Sequence, residues 1–492
     1  MTQRSKSKAV NHSKATGKIV IDRGVSGKIP PNPPFSKGGM VSTIAALATP
    51  PGSGGVGIIR VSGPLALDIA KHITQLALKP RYATWTPFYA NNNTELDEGI
   101  ALYFKAPHSF TGEDVLELQA HGGVVVLDQL LARALELGAV MAEPGEFSKR
   151  AFLNNKIDLL QAEAVADLIQ AHSSSAAQAA MRSLQGDFSK RIHALIQQLT
   201  DLRIMIEAAL DFPEEEIDFL SEWPILQQLQ TLQHEIQALI CASTQGAVLR
   251  EGIHLVIVGE PNVGKSSLMN DLAGYDAAIV TPIAGTTRDV LRETILLDGL
   301  PVRLVDTAGL RHTDDIIEQQ GITRALNEVD KAEYVLLLID ATKTPLQDIT
   351  HWDTIWPSMT QPCPAPEKII LVRNKVDLTG EVAGMQTCAL GPVLQISAQT
   401  GEGISALIHH LKQLVLPPAT EGIFMGRRRH LDALQLAQQR INQGITQLQE
   451  YHAAELLAEE LRLAQESLGT ITGQVTSDDL LGKIFSTFCI GK

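Results

Sequence analysis

The sequence predicts a multidomain protein of the α/β plus α class. It combines an N-terminal α+β domain with a helical domain in two parts and a doubly wound α/β domain inserted between those parts. With 492 residues, the chain exceeds the size at which a single hydrophobic core stops growing. Apolar strand-like segments alternate with helical ones from Ile253 to about Leu416, a pattern typical of a doubly wound sheet. Helical periodicity precedes that region and resumes after it.

The first 40 residues differ from the rest of the chain. They contain eight lysines and arginines, one acidic residue, Asp22, and the proline-rich run Ile29–Pro34. A segment without hydrophobic periodicity buries too little apolar surface to fold alone, and this one lacks the apolar stretch of a secretory signal. We expect residues 1–40 to be a disordered basic extension, and a native start at Met40 would place them upstream of the protein. A functional basic arm is the second interpretation.

Residues 41–155 are predicted to form the N-terminal domain. Short apolar segments separated by turns predict strands at Ser42–Ala48, Val56–Val61 and Val115–Ala120. Gly52–Gly57 matches the GxGxxG pattern of dinucleotide sites, but that pattern requires a helix immediately after it. A strand-like segment follows instead, so we predict no dinucleotide site here.

Residues 156–250 and 417–492 are predicted to form the two parts of one helical domain. Leu159–Ile169 keeps the helical pattern without a breaker, and stretches rich in Ala, Gln and Leu follow it. Pro417-Pro418 ends the intervening domain, and helical periodicity then resumes. We expect the C-terminal helices to pack on those of residues 156–250.

Residues 251–416 are predicted to form the inserted domain. Asp298-Gly299 is a hairpin signal that adds one antiparallel pair to the sheet, and the Pro-rich stretch Ala341–Pro366 predicts a loop. The predicted strands are Leu255–Val258, Leu291–Leu297, Val302–Val305, Tyr334–Ile339, Ile369–Val372 and Val393–Ile396.

Gly259–Ser266 reads GEPNVGKS and fits the pattern GxxxxGK[ST] between a predicted strand and a predicted helix. Its glycines let backbone N–H groups surround phosphate oxygens. Lys265 reaches the β- and γ-phosphates, and the Ser266 hydroxyl binds Mg²⁺. The motif alone predicts a nucleoside triphosphate site.

Three further motifs follow predicted strands. Asp306–Gly309 would hold Mg²⁺ through a water and sense the γ-phosphate. Asn374–Asp377 supplies the Asp377 carboxylate, which accepts from guanine N1–H and N2–H₂, donors that adenine lacks at those positions. Ser397-Ala398 would offer a backbone N–H to guanine O6. Four motifs at the carboxyl ends of strands predict GTP binding and hydrolysis.

Leu310 follows Asp306–Gly309, where Ras-like enzymes place a glutamine that orients the attacking water. A leucine side chain has no group that could orient water. We therefore expect another residue, an ion or a partner surface to complete the hydrolytic site.

Several segments together resemble the tRNA-modification GTPase family MnmE/TrmE, over about Val41–Lys492. The resemblance implies an N-terminal tetrahydrofolate-binding and dimerisation domain, a split helical domain and an inserted G domain. The segments are Ala48–Gly52, Gly57–Arg60, Thr111–Asp114, His121–Gly123, Pro144–Ser148, Ala151–Asn154, Asp158-Leu159, Ala284–Asp289 and Phe488–Lys492.

The resemblance implies a K⁺-activated GTPase that acts with an FAD-dependent subunit of the MnmG/GidA type. The pair adds an aminomethyl or carboxymethylaminomethyl group to C5 of the wobble uridine of certain tRNAs. The one-carbon unit comes from 5-formyl- or methylene-tetrahydrofolate, and the FAD resides on the partner. The resemblance further implies a cytoplasmic homodimer that joins this partner in a heterotetramer.

The resemblance also assigns K⁺ ligands and a residue that positions water. Asn262, Thr281, Ile283 and Thr286 would surround K⁺, which offsets charge that develops in the transition state. Glu318 would position the attacking water and is the predicted catalytic residue.

The full predicted nucleotide site joins the four motifs with the family positions. Ser266 and Thr287 are its predicted Mg²⁺ ligands. Its residues are Asn262, Val263, Gly264, Lys265, Ser266, Ser267, Thr281, Pro282, Ile283, Ala284, Gly285, Thr286, Thr287, Asp306, Thr307, Ala308, Gly309, Asn374, Lys375, Val376, Asp377, Ser397, Ala398 and Gln399.

Four charged residues, Arg60, Glu117, Lys156 and Lys492, match family positions that bind the folate. A carboxylate at Glu117 suits the donors of a pterin edge, and Arg60 or a lysine suits the glutamyl carboxylates. Without the resemblance, residues of this kind are ordinary surface charges. Cys489 is a candidate for the modification chemistry, and an inert thiol is the alternative.

The composition excludes some classes of function. No apolar run reaches the roughly 20 residues of a membrane span, and no Cys/His set has zinc spacing, so a reducing cytosol fits best. The net charge of −14 argues against strong autonomous nucleic-acid binding. Two alternatives stay open: a ribosome-assembly GTPase, which predicts a KH-like RNA-binding element, and a dynamin-like GTPase, which predicts basic amphipathic helices.

Overall fold

The computed structural model describes residues 42–211, 225–275, 292–297, 299–306, 328–356, 363–415, 423–475, 478–489 and 491. The predicted extension over residues 1–40 lies outside these ranges. Within them, no helix is both long and apolar enough to cross a membrane.

A six-stranded sheet with the order β3-β4-β5-β2-β1-β6 organises the N-terminal region. Neighbouring strands are antiparallel except β1 and β6, which are parallel. The GxGxxG segment runs into β2 rather than into a helix, as predicted. The strands are β1 Ile44–Leu47, β2 Gly54–Ser62, β3 Thr84–Tyr89, β4 Glu95–Phe104, β5 Val115–Gly122 and β6 Val140–Met141.

Three helices join these strands: α1 Ala66–Thr74, α2 Val124–Glu136 and α3 Glu146–Leu153. The predicted α+β class includes helices, but the sequence pattern located only strands and turns here. For α2 the cause is its β-branched start, Val124–Val126, which favours a strand. Helices α1 and α2 pack on one face of the sheet. On strands that alternate inward and outward, Arg60 and Glu117 lie on the opposite face.

Among the described residues, four helices follow the sheet: α4 Leu159–Ile169, α5 Ser174–Leu184, α6 Asp187–Asp211 and α7 Ile225–Glu251. Asp158 begins α4 with a capping box: its side chain accepts from the backbone N of Gln161, whose side chain accepts from the backbone N of Asp158. Helix α7 ends two residues before the next strand, so the chain enters the inserted domain with almost no linker.

The inserted domain contains a seven-stranded sheet with the order β12-β13-β11-β10-β7-β9-β8. Its central strands are parallel, and the edge pairs β8–β9 and β12–β13 are antiparallel. The elements are β7 Ile253–Gly259, α8 Lys265–Tyr275, β8 Arg292–Leu297, β9 Leu300–Asp306, β10 Tyr334–Asp340, α9 Trp352–Ile355, β11 Ile369–Asn374, α10 Val376–Thr379, β12 Gly384–Cys388, β13 Gly391–Gln395 and α11 Ile404–Val415.

Each of the six strands predicted for the inserted domain is present, and the predicted hairpin joins β8 to β9. Strand β12 was not predicted, because its residues are exposed or half-buried and carry no apolar alternation. The predicted loop Ala341–Pro366 contains the 3₁₀ turn Leu346–Asp348 and the single turn α9 among its described residues.

After the inserted domain the chain forms α12 Arg428–Tyr451, α13 Ala454–Thr472 and α14 Asp478–Ser486. Apolar residues of α6 and α7 share one core with those of α12 and α13. The helices before and after the insertion therefore form a single bundle. This packing confirms the prediction that the α/β domain interrupts a helical one.

Candidate functional site

The phosphate-binding loop connects the end of β7 to the start of α8. Asn262 and Gly264 adopt positive φ angles of 60° and 102°, and a Cβ at Gly264 would lie 2.2 Å from Asn374 Nδ2. Only glycine fits at position 264, because both the backbone angle and the space exclude a side chain. The loop leads directly into the first turn of α8. The N–H groups of a first helical turn have no partner within the helix and can bind anions.

Lys265 lies at the start of α8 and is buried. Its Nζ donates to the carbonyls of Gly259 and Glu260, both at 2.8 Å. These bonds hold the ammonium group over the loop that would surround the phosphates. Ser266 and Ser267 are exposed beside it on the first turn, so the Ser266 hydroxyl is accessible to an ion.

Asn374 ties the phosphate loop to the base side of the site. Its Nδ2 donates to the Val263 carbonyl at 2.8 Å, and its Oδ1 accepts from the backbone N of Ala398 at 2.9 Å. Asn374 is almost fully buried, so both bonds lack competition from water. One side chain thereby fixes the distance between the loop of β7 and the loop after β13.

Lys375 and Asp377 follow at the end of β11. Lys375 has φ 70°, and its Nζ lies 2.7 Å from Asp340 Oδ2. Burial alone would raise the pKa of Asp340, but hydrogen bonds from Lys375 and Thr342 hold it below its ordinary value. Asp377 is exposed in the first turn of α10, so its carboxylate is available to a base.

The loop Ser397–Gln399 follows β13 and contacts Asn374 through the backbone N of Ala398. Ser397 is buried, its Oγ accepts from the backbone N of Thr400 at 3.2 Å, and its own N donates to the Glu402 carbonyl at 2.9 Å. Gln399 is exposed. These hydrogen bonds within the loop make the site rigid on this side.

Sequence reasoning missed the residues that support this site. Asp340 ends β10, between the strands that carry the phosphate loop and Asn374. Arg373 is fully buried, pairs with Glu381, and donates to the Thr344 carbonyl at 3.1 Å. The rule that sites gather at strand carboxyl ends would have identified Asp340, but no sequence signal identifies Arg373.

Several predicted site residues lie outside the described residues. Asp306 ends β9 level with Ile257 of β7, next to the phosphate loop, but its side chain is not described. Within the described ranges, no cluster of His, Cys, Asp and Glu could hold a metal ion. The predicted residues outside are Thr281, Pro282, Ile283, Ala284, Gly285, Thr286, Thr287, Thr307, Ala308, Gly309, Leu310, Glu318 and Lys492.

A second polar group lies on the open face of the N-terminal sheet. Arg60 Nε lies 2.9 Å from Glu117 Oε1 across the β2–β5 pair, and Arg60 also donates to the Gly491 carbonyl at 3.1 Å. The guanidinium lies 5.8 Å from the ring centre of Phe147. The structure thus brings together two predicted folate residues and the end of the chain, while Lys156 donates to the Pro107 carbonyl instead.

Cys489 belongs to the same C-terminal segment and is exposed. Its carbonyl accepts from the backbone N of Gly145 at 3.4 Å, and Phe488 beside it is buried among residues of α3, α4 and α14. Val165 and Ile169 of α4 line a small cavity together with Phe488 and Cys489. The C-terminal segment is therefore seated between the helical bundle and the N-terminal sheet.

Comparison with known proteins agrees with this arrangement. Family models described as "GTP-binding protein TrmE N-terminus" and "MnmE helical domain" match residues 43–156 and 159–489. The tRNA modification GTPase MnmE of Ectopseudomonas mendocina is 56% identical over 92% of this chain and 99% of its own. The proteins of the same name from Chromohalobacter salexigens and Yersinia pestis are 55% and 56% identical over 92% of this chain, and over 98% and 99% of their own chains.

This chain belongs to the MnmE family of tRNA modification GTPases. The resemblance found in the sequence is thereby confirmed, and so is the predicted fold class. MnmE relatives match the chain across the N-terminal sheet, the helical bundle and the inserted domain alike.

Proposed function

We propose that this protein binds and hydrolyses GTP as part of a tRNA modification reaction. With an FAD-dependent partner of the MnmG/GidA type, it adds an aminomethyl or carboxymethylaminomethyl group to C5 of the wobble uridine of certain tRNAs. The one-carbon unit comes from a tetrahydrofolate. The observation that carries the proposal is Asn374, which joins the phosphate loop to the loop Ser397–Gln399, here called the base loop. Asp377, three residues after Asn374, is exposed.

Specificity for guanine follows from the chemistry of Asp377. A carboxylate offers acceptors to the N1–H and N2–H₂ donors of guanine, and adenine presents neither donor in that position. The ion pair between half-buried Lys375 and buried Asp340 holds the backbone from which Asp377 projects. A rigid loop adds to selectivity, because the wrong base leaves the carboxylate without donors.

Mg²⁺ and K⁺ fit the oxygen-rich residues of the phosphate loop. The exposed Ser266 hydroxyl is a hard oxygen donor of the kind that Mg²⁺ prefers, and Thr287 is the proposed second ligand. Asn262 is exposed on the loop and could offer its amide oxygen to K⁺, with Thr281, Ile283 and Thr286. When bound, K⁺ would offset negative charge that develops beside the phosphates in the transition state.

The N-terminal sheet is proposed as the folate site. Arg60 and Glu117 are half-buried on the face that α1 and α2 leave open, and Leu102 is the partner of Glu117 on β4. A charged pair beside apolar surface suits a flat heteroaromatic ring with a carboxylate tail. Lys156 and Lys492 complete the proposed folate set, and Cys489 lies two residues before Gly491, whose carbonyl accepts from Arg60.

The same proposal includes the assembly. We propose a homodimer formed by the N-terminal domains, joined to the FAD-dependent subunit in a heterotetramer in the cytoplasm. Glu318 is the proposed water-positioning residue. We propose domain boundaries at the predicted ranges 41–155, 156–250, 251–416 and 417–492.

Removal of Phe488–Lys492 tests whether GTP hydrolysis and wobble-uridine modification depend on different sites. The truncated protein should hydrolyse GTP within about twofold of the full chain, because the segment packs on the N-terminal sheet and α4. Wobble-uridine modification, measured by mass analysis of tRNA nucleosides from a complemented deletion strain, should disappear. Cys241→Ser, at an exposed thiol on α7, serves as the control.

Unchanged wobble-uridine nucleosides after the truncation would refute the tRNA-modifying function. GTP-dependent sedimentation with a ribosomal subunit would then favour the ribosome-assembly alternative.

Rates of GTP hydrolysis in K⁺ and Na⁺ salts test the role of Asn262. We expect hydrolysis to be much faster in K⁺ than in Na⁺, and Asn262→Ala should abolish this difference. Equal rates in the two salts for the unaltered protein would refute that role.

A further inference from the structure

Both chain connections between the helical bundle and the G domain, here the inserted α/β domain, are tied to one residue of α4. Arg250 is the penultimate residue of α7, and its Nε lies 3.0 Å from Asp167 Oδ1. Arg427 directly precedes α12 on the return path, and its NH2 atom lies 2.7 Å from the same oxygen. Asp167 is almost fully buried, so this shared contact is shielded from water and salt.

The backbones of the two connections are also in close contact. A Cβ at Gly246 of α7 would lie 1.6 Å from the Phe424 carbonyl, and one at Gly426 would lie 1.9 Å from the Ser243 carbonyl. Backbones this close leave no room for independent movement. Met425 N adds a hydrogen bond to Ser183 Oγ of α5 at 3.2 Å. The outgoing and return connections therefore form one rigid unit at the surface of α4.

One turn before Asp167, Glu163 extends the network. Its carboxylate accepts two bonds from Arg429, at 2.8 and 2.6 Å, and one from His430 Nε2 at 2.8 Å. Arg429 also donates to the carbonyls of Thr470 and Ile471 at the end of α13. The first turn of α12 is thus fixed to α4 and α13 together.

The other side of α4 holds the C-terminal segment. Val165, Ala166 and Ile169 line the cavity that Phe488 and Cys489 complete, while Leu159 and Ala162 pack with Phe488 in the adjacent core. Residues four apart share a helix face, so Glu163 and Asp167 form one face and Val165 and Ile169 another. A single helix of 11 residues joins the G-domain connections to the surroundings of Cys489.

We propose that Asp167 is a positioning residue for Cys489: it ties both connections of the G domain to α4 and so makes the surroundings of Cys489 depend on the nucleotide in the phosphate loop. The inference rests on the proposed function. A shift of either connection must move α4 or separate one arginine from the buried Asp167 carboxylate. Separation leaves a buried charge unpaired and costs more free energy than a movement of the rigid helix. We therefore expect α4 to move with the connections.

Site-resolved alkylation of Cys489 by iodoacetamide, followed by mass spectrometry, tests this in the full-length protein. Cys241 on α7 is also exposed and serves as an internal reference thiol. In the unaltered chain, the Cys489 to Cys241 rate ratio should differ at least about fivefold between GDP and a non-hydrolysable GTP analogue. In Asp167→Asn, the ratio should be the same with both nucleotides, while GTP hydrolysis stays within about twofold.

Asp187→Asn is the matched control, because Asp187 pairs only with exposed Lys190 on α6 among the described residues, and it should keep the full nucleotide response. If Asp167→Asn does not fold, Arg250→Gln decides, since it leaves Asp167 paired with Arg427. A full response in the folded variant, or equal ratios with both nucleotides in the unaltered chain, overturns the inference. Failure of the proposed function would instead appear as missing GTP hydrolysis or unchanged tRNA nucleosides.

Discussion

The nucleotide site and the proposed folate site on the N-terminal sheet are built in opposite ways. The nucleotide site is held together through buried backbone groups. The Asn374 side chain joins the Val263 carbonyl to the Ala398 N–H inside the domain. On the sheet, Arg60 and Glu117 are paired side chains, 23% and 16% exposed, on regular strands. A site made of backbone needs particular residues in its loops, whereas a site made of side chains needs only a strand to carry them.

This difference sets how each site should respond to substitution. Loss of a side chain that satisfies buried backbone groups leaves those groups unsatisfied, at a cost of about 1–3 kcal/mol each. Loss of one member of a half-exposed ion pair costs less stability, because water replaces the partner. We therefore expect nucleotide-site variants to lose binding and stability together, and sheet variants to lose function alone.

Asn374→Ala should give the largest effect. It leaves the Val263 carbonyl and the Ala398 N–H unpaired and frees the base loop from the phosphate loop, so GTP affinity should fall about 100-fold, for about 3 kcal/mol. Titration with a fluorescent guanine nucleotide measures it. Asn92→Ala, at an exposed turn in the N-terminal domain, should bind normally. An affinity within about threefold of the unaltered protein would contradict the bridging role.

Glu117→Gln and Arg60→Gln should affect only the modification. Glu117→Gln keeps the size of the side chain, whereas Arg60→Gln shortens it, and each removes one charge of the pair. Wobble-uridine modification should therefore fall about tenfold, while GTP hydrolysis and the melting temperature should change little. Asp68→Asn, which removes an exposed ion pair to Lys71 on α1, is the control. A parallel fall in GTP hydrolysis would show that the two sites are not separable in this way.

The same difference explains what could be predicted from sequence. Gly259–Ser266 and Asn374–Asp377 are contiguous, because loop backbone requires particular residues in order, and the structure places both at strand ends. Arg60 and Gly491 are 431 residues apart, and only the fold brings them together. Arg373 and Asp167 were not predicted at all, because a buried ion pair depends on packing between elements and leaves no local pattern.

The smallest expected effect concerns two histidines, one buried and one exposed. It tests whether burial distinguishes these polar groups as it distinguishes the two sites. His430 in the helical core accepts at Nδ1 from the backbone N of Arg427 and donates from Nε2 to Glu163, so it is held in the neutral form. Burial and the nearby Arg429 lower its pKa below the ordinary 6.5. His121, exposed on the sheet, has a raised pKa because Asp97 stabilises the protonated ring.

The two histidines should therefore give opposite signs between about pH 7 and pH 5. As the pH falls below 6.5, the unfolded chain protonates at position 430 before the folded one does, so stability is lost. His430→Gln keeps a neutral donor toward Glu163 and should reduce the acid-side fall in melting temperature by a few degrees. At His121 the pair with Asp97 adds stability below pH 6.5 and loses it as the pH rises through the raised pKa, so His121→Gln should slightly steepen the acid-side fall, and added salt should remove that effect. Equal pH profiles for both variants would mean that burial does not distinguish the two charged networks.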